Sequence, residues 1–197
     1  MADALATCYE ARTCFGNPQG RSMVGARMTL AALALAELCA KTVSDHGMRA
    51  AEAARRGAVD TSLEHIVEAN TLLSGLGFES AGLAAAHAMA AGFTVIPALH
   101  QNWLHGELVG VGLVAHLVLE GDPAEAAHVA RLLAGLGLPV RLSQIGIDPA
   151  RDREALMQCM AAAVQEPFAR NEPFEVTPER LFEAVCGADR ISREALS

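Results

Sequence analysis

Two of the seven histidines, His87 and His105, are candidate metal ligands. His87 lies between Gly82 and Gly92 in a stretch that is mostly alanine, so a bound species can fit beside its imidazole ring. His105 begins the next predicted helix, after a loop that contains Pro97. Eighteen residues and a helix break separate the two histidines, so they are not an i, i+4 pair, but they can face each other across a helix–loop–helix turn. The spacing therefore allows a shared metal site, and it equally allows two ordinary structural histidines.

The other histidines and the cysteines give weaker signals. His116 interrupts a long apolar run, which is typical of a hydrogen-bonded core histidine. We expect the histidines that lie among charged residues to be on the surface, namely His46, His65 and His128. The five cysteines contain no C-x-x-C pair and are odd in number, which indicates neither a disulfide framework nor a zinc knuckle. Free thiols in a reducing cytosol are expected.

The glycines between Gly75 and Gly82 do not form a phosphate-binding loop. The third glycine comes two positions too late for G-x-G-x-x-G, and the preceding residues, 68–74, are helical in pattern rather than a buried strand. A tight turn and close packing of helices explain these glycines better. The chain also lacks a Walker A motif, a G-x-S-x-G elbow and an H-E-x-x-H motif.

Helices must position these side chains, because apolar residues recur at steps of three and four along the chain, as in residues 123–136. Asp60, Asp122 and Thr177 precede helical segments and are typical N-cap residues. The predicted helices span residues 3–14, 24–46, 48–56, 61–74, 79–91, 107–119, 123–136, 151–165 and 178–188. The segment 107–119 is apolar all round and should be central and buried. We predict one all-α domain over residues 1–197.

Composition excludes several classes of protein. The 197 residues are 52% hydrophobic, which argues against disorder, and their net charge of −8 argues against a nucleic-acid binder. The N-terminus has no signal-peptide pattern, and the longest apolar run, 108–119, is too short to span a membrane. A cytoplasmic protein is expected.

Several stretches, taken in order, resemble the C-terminal, all-helical domain of the glycerol dehydrogenases, in the metal-dependent (iron-containing) alcohol dehydrogenase family. The resemblance runs in register over residues 2–145 and fades towards the C-terminus. The stretches are Asp3 to Arg12, Ala32 to Cys39, Glu68 to Ser80, Gly82 to His87, His105 to Glu107 and Gly137 to Pro139.

The resemblance implies that Asp3, His87 and His105 hold a catalytic divalent ion. Iron-type relatives carry a further histidine four residues after the aspartate, where this chain has Thr7. A site with two histidines, one aspartate and an open position suits catalytic zinc, and Fe²⁺ is the less favoured alternative.

The resemblance also implies a reaction, the oxidation of glycerol or a similar small polyol by NAD. Phe78 would line the polyol pocket beside the metal, although it could equally be an ordinary core aromatic at a helix start. The family binds NAD mostly through an N-terminal α/β domain, and the chain begins at Met1, just before the metal-binding aspartate. We therefore expect the chain to be inactive unless a missing or separate domain supplies the cofactor.

Two hypotheses remain at this stage. The chain is either the metal-binding catalytic half of a dehydrogenase or a non-catalytic helical remnant that acts as an oligomerisation or metal-binding module. Loss of the N-terminal domain would expose apolar cleft surface, so both hypotheses predict a homo-oligomer or association with a partner N-terminal domain.

Overall fold

Ten α-helices and no β-strand make up the chain, in a computed structural model that describes all residues from Met1 to Ser197. This confirms the all-α prediction. The helices are α1 (Ala2–Gly16), α2 (Leu30–Arg55), α3 (Thr61–Glu68), α4 (Ser74–Ala81), α5 (Ala85–Phe93), α6 (Pro97–Asn102), α7 (His105–Leu119), α8 (Pro123–Gly135), α9 (Arg153–Ala163) and α10 (Pro178–Ala195). A π-helical turn, Ala69–Leu73, joins α3 to α4, and 3₁₀ turns lie at Leu142–Ile145 and Pro167–Asn171.

Three of these helices begin where their N-cap residues predict. The side chains of Asp60, Asp122 and Thr177 each accept a hydrogen bond from the backbone N–H three residues later. Each bond satisfies a donor that the first turn of a helix otherwise leaves free. The starts of α3, α8 and α10 are therefore encoded locally.

Helix α7 lies at the centre of the fold, as its apolar sequence predicts. All of its residues from Leu108 to Leu117 are buried, and it packs against α1, α5, α8 and α10. At Gly112 a Cβ atom would clash with the carbonyl oxygen of Ala86, so glycine lets the α5 and α7 backbones approach closely. None of the ten helices combines the length and the hydropathy needed to cross a bilayer.

The first difference from the predicted helices is at Gly47. The sequence predicts two helices, 24–46 and 48–56, but α2 is continuous from Leu30 to Arg55. Gly47 does not break the helix, because its missing side chain makes room for Leu136: a Cβ atom there would lie 3.3 Å from the Leu136 side chain. Close packing of α2 against Leu136, rather than a turn of the chain, therefore explains why a glycine stands at position 47.

The second difference concerns the chain before α5. Residues 79–91 were expected to form one helix, but α4 ends at Ala81 and α5 begins at Ala85. Gly82 makes the break: its φ is +85°, and a Cβ atom there would lie 2.7 Å from the carbonyl oxygen of Arg21. The loop expected around Pro97 also contains the short helix α6.

Candidate metal centre

The structure brings Asp3, His87 and His105 together at one end of the bundle. Each residue lies in the first turn of a different helix, α1, α5 and α7 respectively. Side chains of a first turn project back past the helix N-terminus, so three converging helix starts direct the three side chains to one point. One donor atom from each residue lies within 4.8 Å of the others.

The distances between these donor atoms suit a tetrahedral metal ion. Asp3 Oδ1 lies 3.2 Å from Nε2 of His87, and Asp3 Oδ2 lies 3.8 Å from Nε2 of His105. Two metal–ligand bonds of about 2.1 Å at a tetrahedral angle place their donor atoms about 3.4 Å apart. The two observed distances, which end on the two different oxygens of Asp3, lie on either side of that value, and all three donor atoms lie within 4.8 Å of one another.

The environment of the site differs from one side to the other. His87 is buried at 6% exposure, whereas the side chain of His105 is 56% exposed and that of Asp3 is 42% exposed. The buried side fixes one imidazole, and the open side leaves room for a further ligand. Such an open position distinguishes catalytic from structural zinc sites.

The charges of Asp3 and His87 stabilise each other. Burial raises the pKa of Asp3, but its hydrogen bond with His87 and the nearby positive charge outweigh burial and lower that pKa overall. Burial lowers the pKa of His87, but the charge of Glu10 and the hydrogen bonds to both carboxylates raise it to about 10. An ion that binds here must therefore displace a proton from His87.

A fourth residue, Glu10, completes the buried side of the site. Its carboxylate is fully buried, and Oε2 is hydrogen-bonded to Nδ1 of His87. The other oxygen, Oε1, accepts from the backbone N–H groups of Ala84 and His87 at 2.8 Å and 3.0 Å. The sequence analysis missed Glu10. The sequence feature that could have identified it is its position seven residues after Asp3, which places both carboxylates on one face of α1.

Thr7 lies one turn after Asp3 in α1, at the position where the family resemblance implies a further histidine in iron-type relatives. The Thr7 side chain is buried, and its hydroxyl lies 3.2 Å from the backbone oxygen of Asp3 and 3.1 Å from Oγ of Ser74. Thr7 therefore serves local packing and hydrogen bonding. The donor set at this point of the molecule remains two imidazoles and one carboxylate.

A cleft of about 640 Å³ adjoins the three candidate ligands. Phe78 lines this cleft from α4 and is 38% exposed, so it is not an ordinary core aromatic. Asn70 and Ser74 add polar groups to a lining that is otherwise largely apolar. An apolar cleft with a few polar groups is typical of a small-molecule site.

A second cluster, His116 with Glu120 and Glu172, has a different geometry. Nδ1 of the buried His116 lies 3.1 Å from Glu172, and Nε2, on the opposite side of the ring, lies 3.5 Å from Glu120. The two carboxylates thus face different nitrogens of one imidazole, which binds a metal ion through only one of them, although one donor atom from each residue lies within 4.8 Å of the others. His116 is thus a core histidine that joins helix α7 to the chain before α10.

The remaining histidines lie away from the cleft. His128 is exposed as expected, whereas His46 and His65 are half-buried and pack edge to face, with ring centroids 4.7 Å apart. All five cysteines are free.

No model of a known protein family matches the chain, but individual relatives do. A glycerol dehydrogenase from Citrobacter freundii is 41% identical over 198 residues, which cover all of this chain and 54% of the relative. A glycolaldehyde reductase from Halobacterium salinarum is also 41% identical, over 98% of this chain and 53% of its own length. The similarity thus continues past residue 145, where the motif resemblance fades.

Solved structures lead to the same group of proteins. The crystal structure of a probable glycerol dehydrogenase from Sinorhizobium meliloti superposes with a TM-score of 0.92 at 33% identity, over 98% of this chain and 54% of that one. The chain spans about half the length of the relatives it matches. It is therefore a homologue of the glycerol dehydrogenases along its whole length, and its all-helical fold matches about half of each of them.

Proposed function

We propose that the chain is the metal-binding half of an NAD-dependent dehydrogenase that oxidises glycerol or a similar small polyol. The observation that carries the proposal is the convergence of Asp3, His87 and His105 beside an apolar cleft. Glycerol and glycolaldehyde, named for two of the relatives, are both small compounds with oxygens on adjacent carbons. The size of the cleft is ample for such a substrate.

The three residues would hold zinc, with Fe²⁺ as the second candidate. Thr7 offers no fourth protein ligand, so the open position suits zinc catalysis better than a four-ligand iron site. The bound metal supplies Lewis acidity at a substrate hydroxyl, and NAD supplies the hydride acceptor. His105 and Asp3 face the open side, where a hydroxyl can approach, while Phe78 shields the carbon chain from water.

We further propose that residues 1–197 act as one unit and that NAD binds through the part of the relatives that this chain does not match. The 197 residues alone would then not oxidise glycerol. Met23 and Phe78, two exposed apolar side chains that line the same cleft, support association of this face with a further domain or a second copy. Free cysteines are compatible with a reducing compartment such as the cytoplasm.

The metal content of purified variants tests the proposed centre. Protein prepared without chelators or a histidine tag should contain about one zinc per chain by elemental analysis. His87→Ala should lose the metal and keep its helicity, whereas His100→Ala, which removes an exposed histidine outside the site, should keep both. The same zinc content per chain in His87→Ala as in the wild type, or a wild-type chain that does not bind added zinc, contradicts the proposal and favours a non-catalytic remnant.

A further inference from the structure

We propose that Glu10 is a positioning residue that dictates which nitrogen of His87 is free to bind the metal. This proposal rests on the metal centre of the proposed function. It assigns a role to a buried carboxylate that does not itself face the cleft.

The Glu10 carboxylate has no freedom to turn. Its side chain is fully buried, and Oε1 already accepts the backbone N–H groups of Ala84 and His87. These two donors lie at the start of α5, where Ala84 is the N-cap residue and provides no side-chain cap. The remaining oxygen, Oε2, is thereby directed at Nδ1 of His87.

An ionised carboxylate can only accept a hydrogen bond, so Nδ1 of His87 must carry a proton. The opposite nitrogen, Nε2, faces Asp3 and is then the one that gives up its proton when a cation binds. Carboxylate–histidine pairs of this kind fix both the tautomer and the ring orientation of metal ligands. Glu10 therefore selects Nε2 as the donor atom.

Glu10→Gln tests this selection with almost no change in volume. The two backbone N–H groups still require an oxygen, so the amide must place its oxygen on them and turn its NH₂ group towards Nδ1. The NH₂ group donates, which leaves Nδ1 without a proton and keeps the remaining proton on Nε2, where Asp3 accepts it. The ring is then in the wrong tautomer for the metal centre.

Glu172→Gln is the matched control. Glu172 is also buried, and its Oε1 accepts from the N–H of Ala85 at 3.0 Å, at the same helix start. Its ring partner is His116, which is not a candidate ligand. This variant loses a buried carboxylate of the same kind at the start of α5, but it leaves Glu10 and His87 intact.

Zinc affinity should fall about 10- to 100-fold in Glu10→Gln, measured by competition with a chelating dye, and stay near the wild-type value in Glu172→Gln. Long-range ¹H–¹⁵N spectra of the metal-free proteins should show a proton on Nδ1 of His87 in the wild type and none in Glu10→Gln. The His87→Ala spectrum assigns the signals. Unchanged affinity in Glu10→Gln, or an equal loss in both glutamine variants, overturns the proposal.

The nuclear magnetic resonance measurement separates this proposal from the metal centre itself. If the wild type binds no zinc, the proposed function fails, while the proton on Nδ1 still decides the role of Glu10. If Glu10→Gln does not fold, the wild-type spectrum alone is decisive. As the pH rises through the His87 pKa, loss of the proton from Nε2 and its retention on Nδ1 support the role, whereas loss of the proton from Nδ1 overturns it.

Discussion

The three candidate ligands differ in how firmly the protein holds them. His87 is buried and hydrogen-bonded at both ring nitrogens, to Glu10 and to Asp3. His105 is more than half exposed, and its Nε2 lies 3.8 Å from Asp3. We infer that His87 anchors the ion and that His105 moves slightly towards it on binding.

The raised pKa of His87 predicts that zinc affinity depends on pH. With a pKa of about 10, the ring keeps its proton at neutral pH, and zinc must release that proton in order to bind. The lowered pKa of Asp3 means that this carboxylate is already ionised and releases none. Affinity should therefore rise about tenfold per pH unit between about pH 7 and pH 9.

Competition with a chelator of known pH dependence measures this slope. An affinity that stays constant across the same range, after correction for buffer and hydroxide binding, would show that His87 gives up no proton to the metal.

Sequence reasoning reached some of these residues and missed others. The small residues around His87 and the position of His105 single out the two histidines, but their spacing leaves their proximity open. Asp3 enters only through the family resemblance, because an acidic residue in the first turn of a helix is ordinary. Glu10 is absent from the predicted site because its partner lies 77 residues away along the chain.

Helix α5 owes its position to close contacts on two sides. Gly112 of α7 lets that helix approach the carbonyl of Ala86 in α5, and Gly92 of α5 lets that helix approach the carbonyl of Cys159 in α9. The first contact sets the distance between the helices that carry His87 and His105. Small residues at these crossings thus hold the two candidate ligands within reach of one ion.

Gly112→Ala should separate α5 from α7, because the new methyl group would clash with the backbone of Ala86. We expect a loss of roughly 1–3 kcal/mol in the free energy of unfolding, together with weaker zinc binding. Chemical denaturation and dye competition measure the two effects.

Gly16→Ala is the control for a helical glycine with open space outside the cleft, since nothing lies within 4 Å of its Cβ position at the end of α1. It should gain up to about 1 kcal/mol from helix propensity and keep its zinc affinity. If the two variants changed equally in stability and in zinc affinity, close packing at Gly112 would not be what positions the site.

Three of the correctly predicted helices have their start signals next to them in the sequence. The N-caps of α3, α8 and α10 lie in the sequence next to the helices they start. The start of α5 has no such signal, because it is capped by Glu10 and Glu172 from distant parts of the chain. The sequence pattern also predicts a helix through Gly82, because the backbone carbonyl that excludes a side chain there belongs to Arg21, which is distant in sequence.

On the scale of the whole molecule, the candidate site lies at one end of the helical bundle, beside the open cleft. A main cluster of 41 buried residues surrounds α7, and the cleft lies where α1, α4, α5 and α7 meet. Periodicity predicts the all-α class, because it reports which helix faces are apolar. It cannot predict that residues 3, 87 and 105 converge, because that depends on the order in which the helices pack.

Anomalous diffraction from zinc-soaked crystals would locate the ion. We predict one strong peak bonded to the Asp3 carboxylate and to Nε2 of both His87 and His105, at about 2.0–2.2 Å from each donor atom. A peak at His116 and Glu172 instead, or no peak between Asp3 and the two histidines, would contradict the assignment of the metal centre.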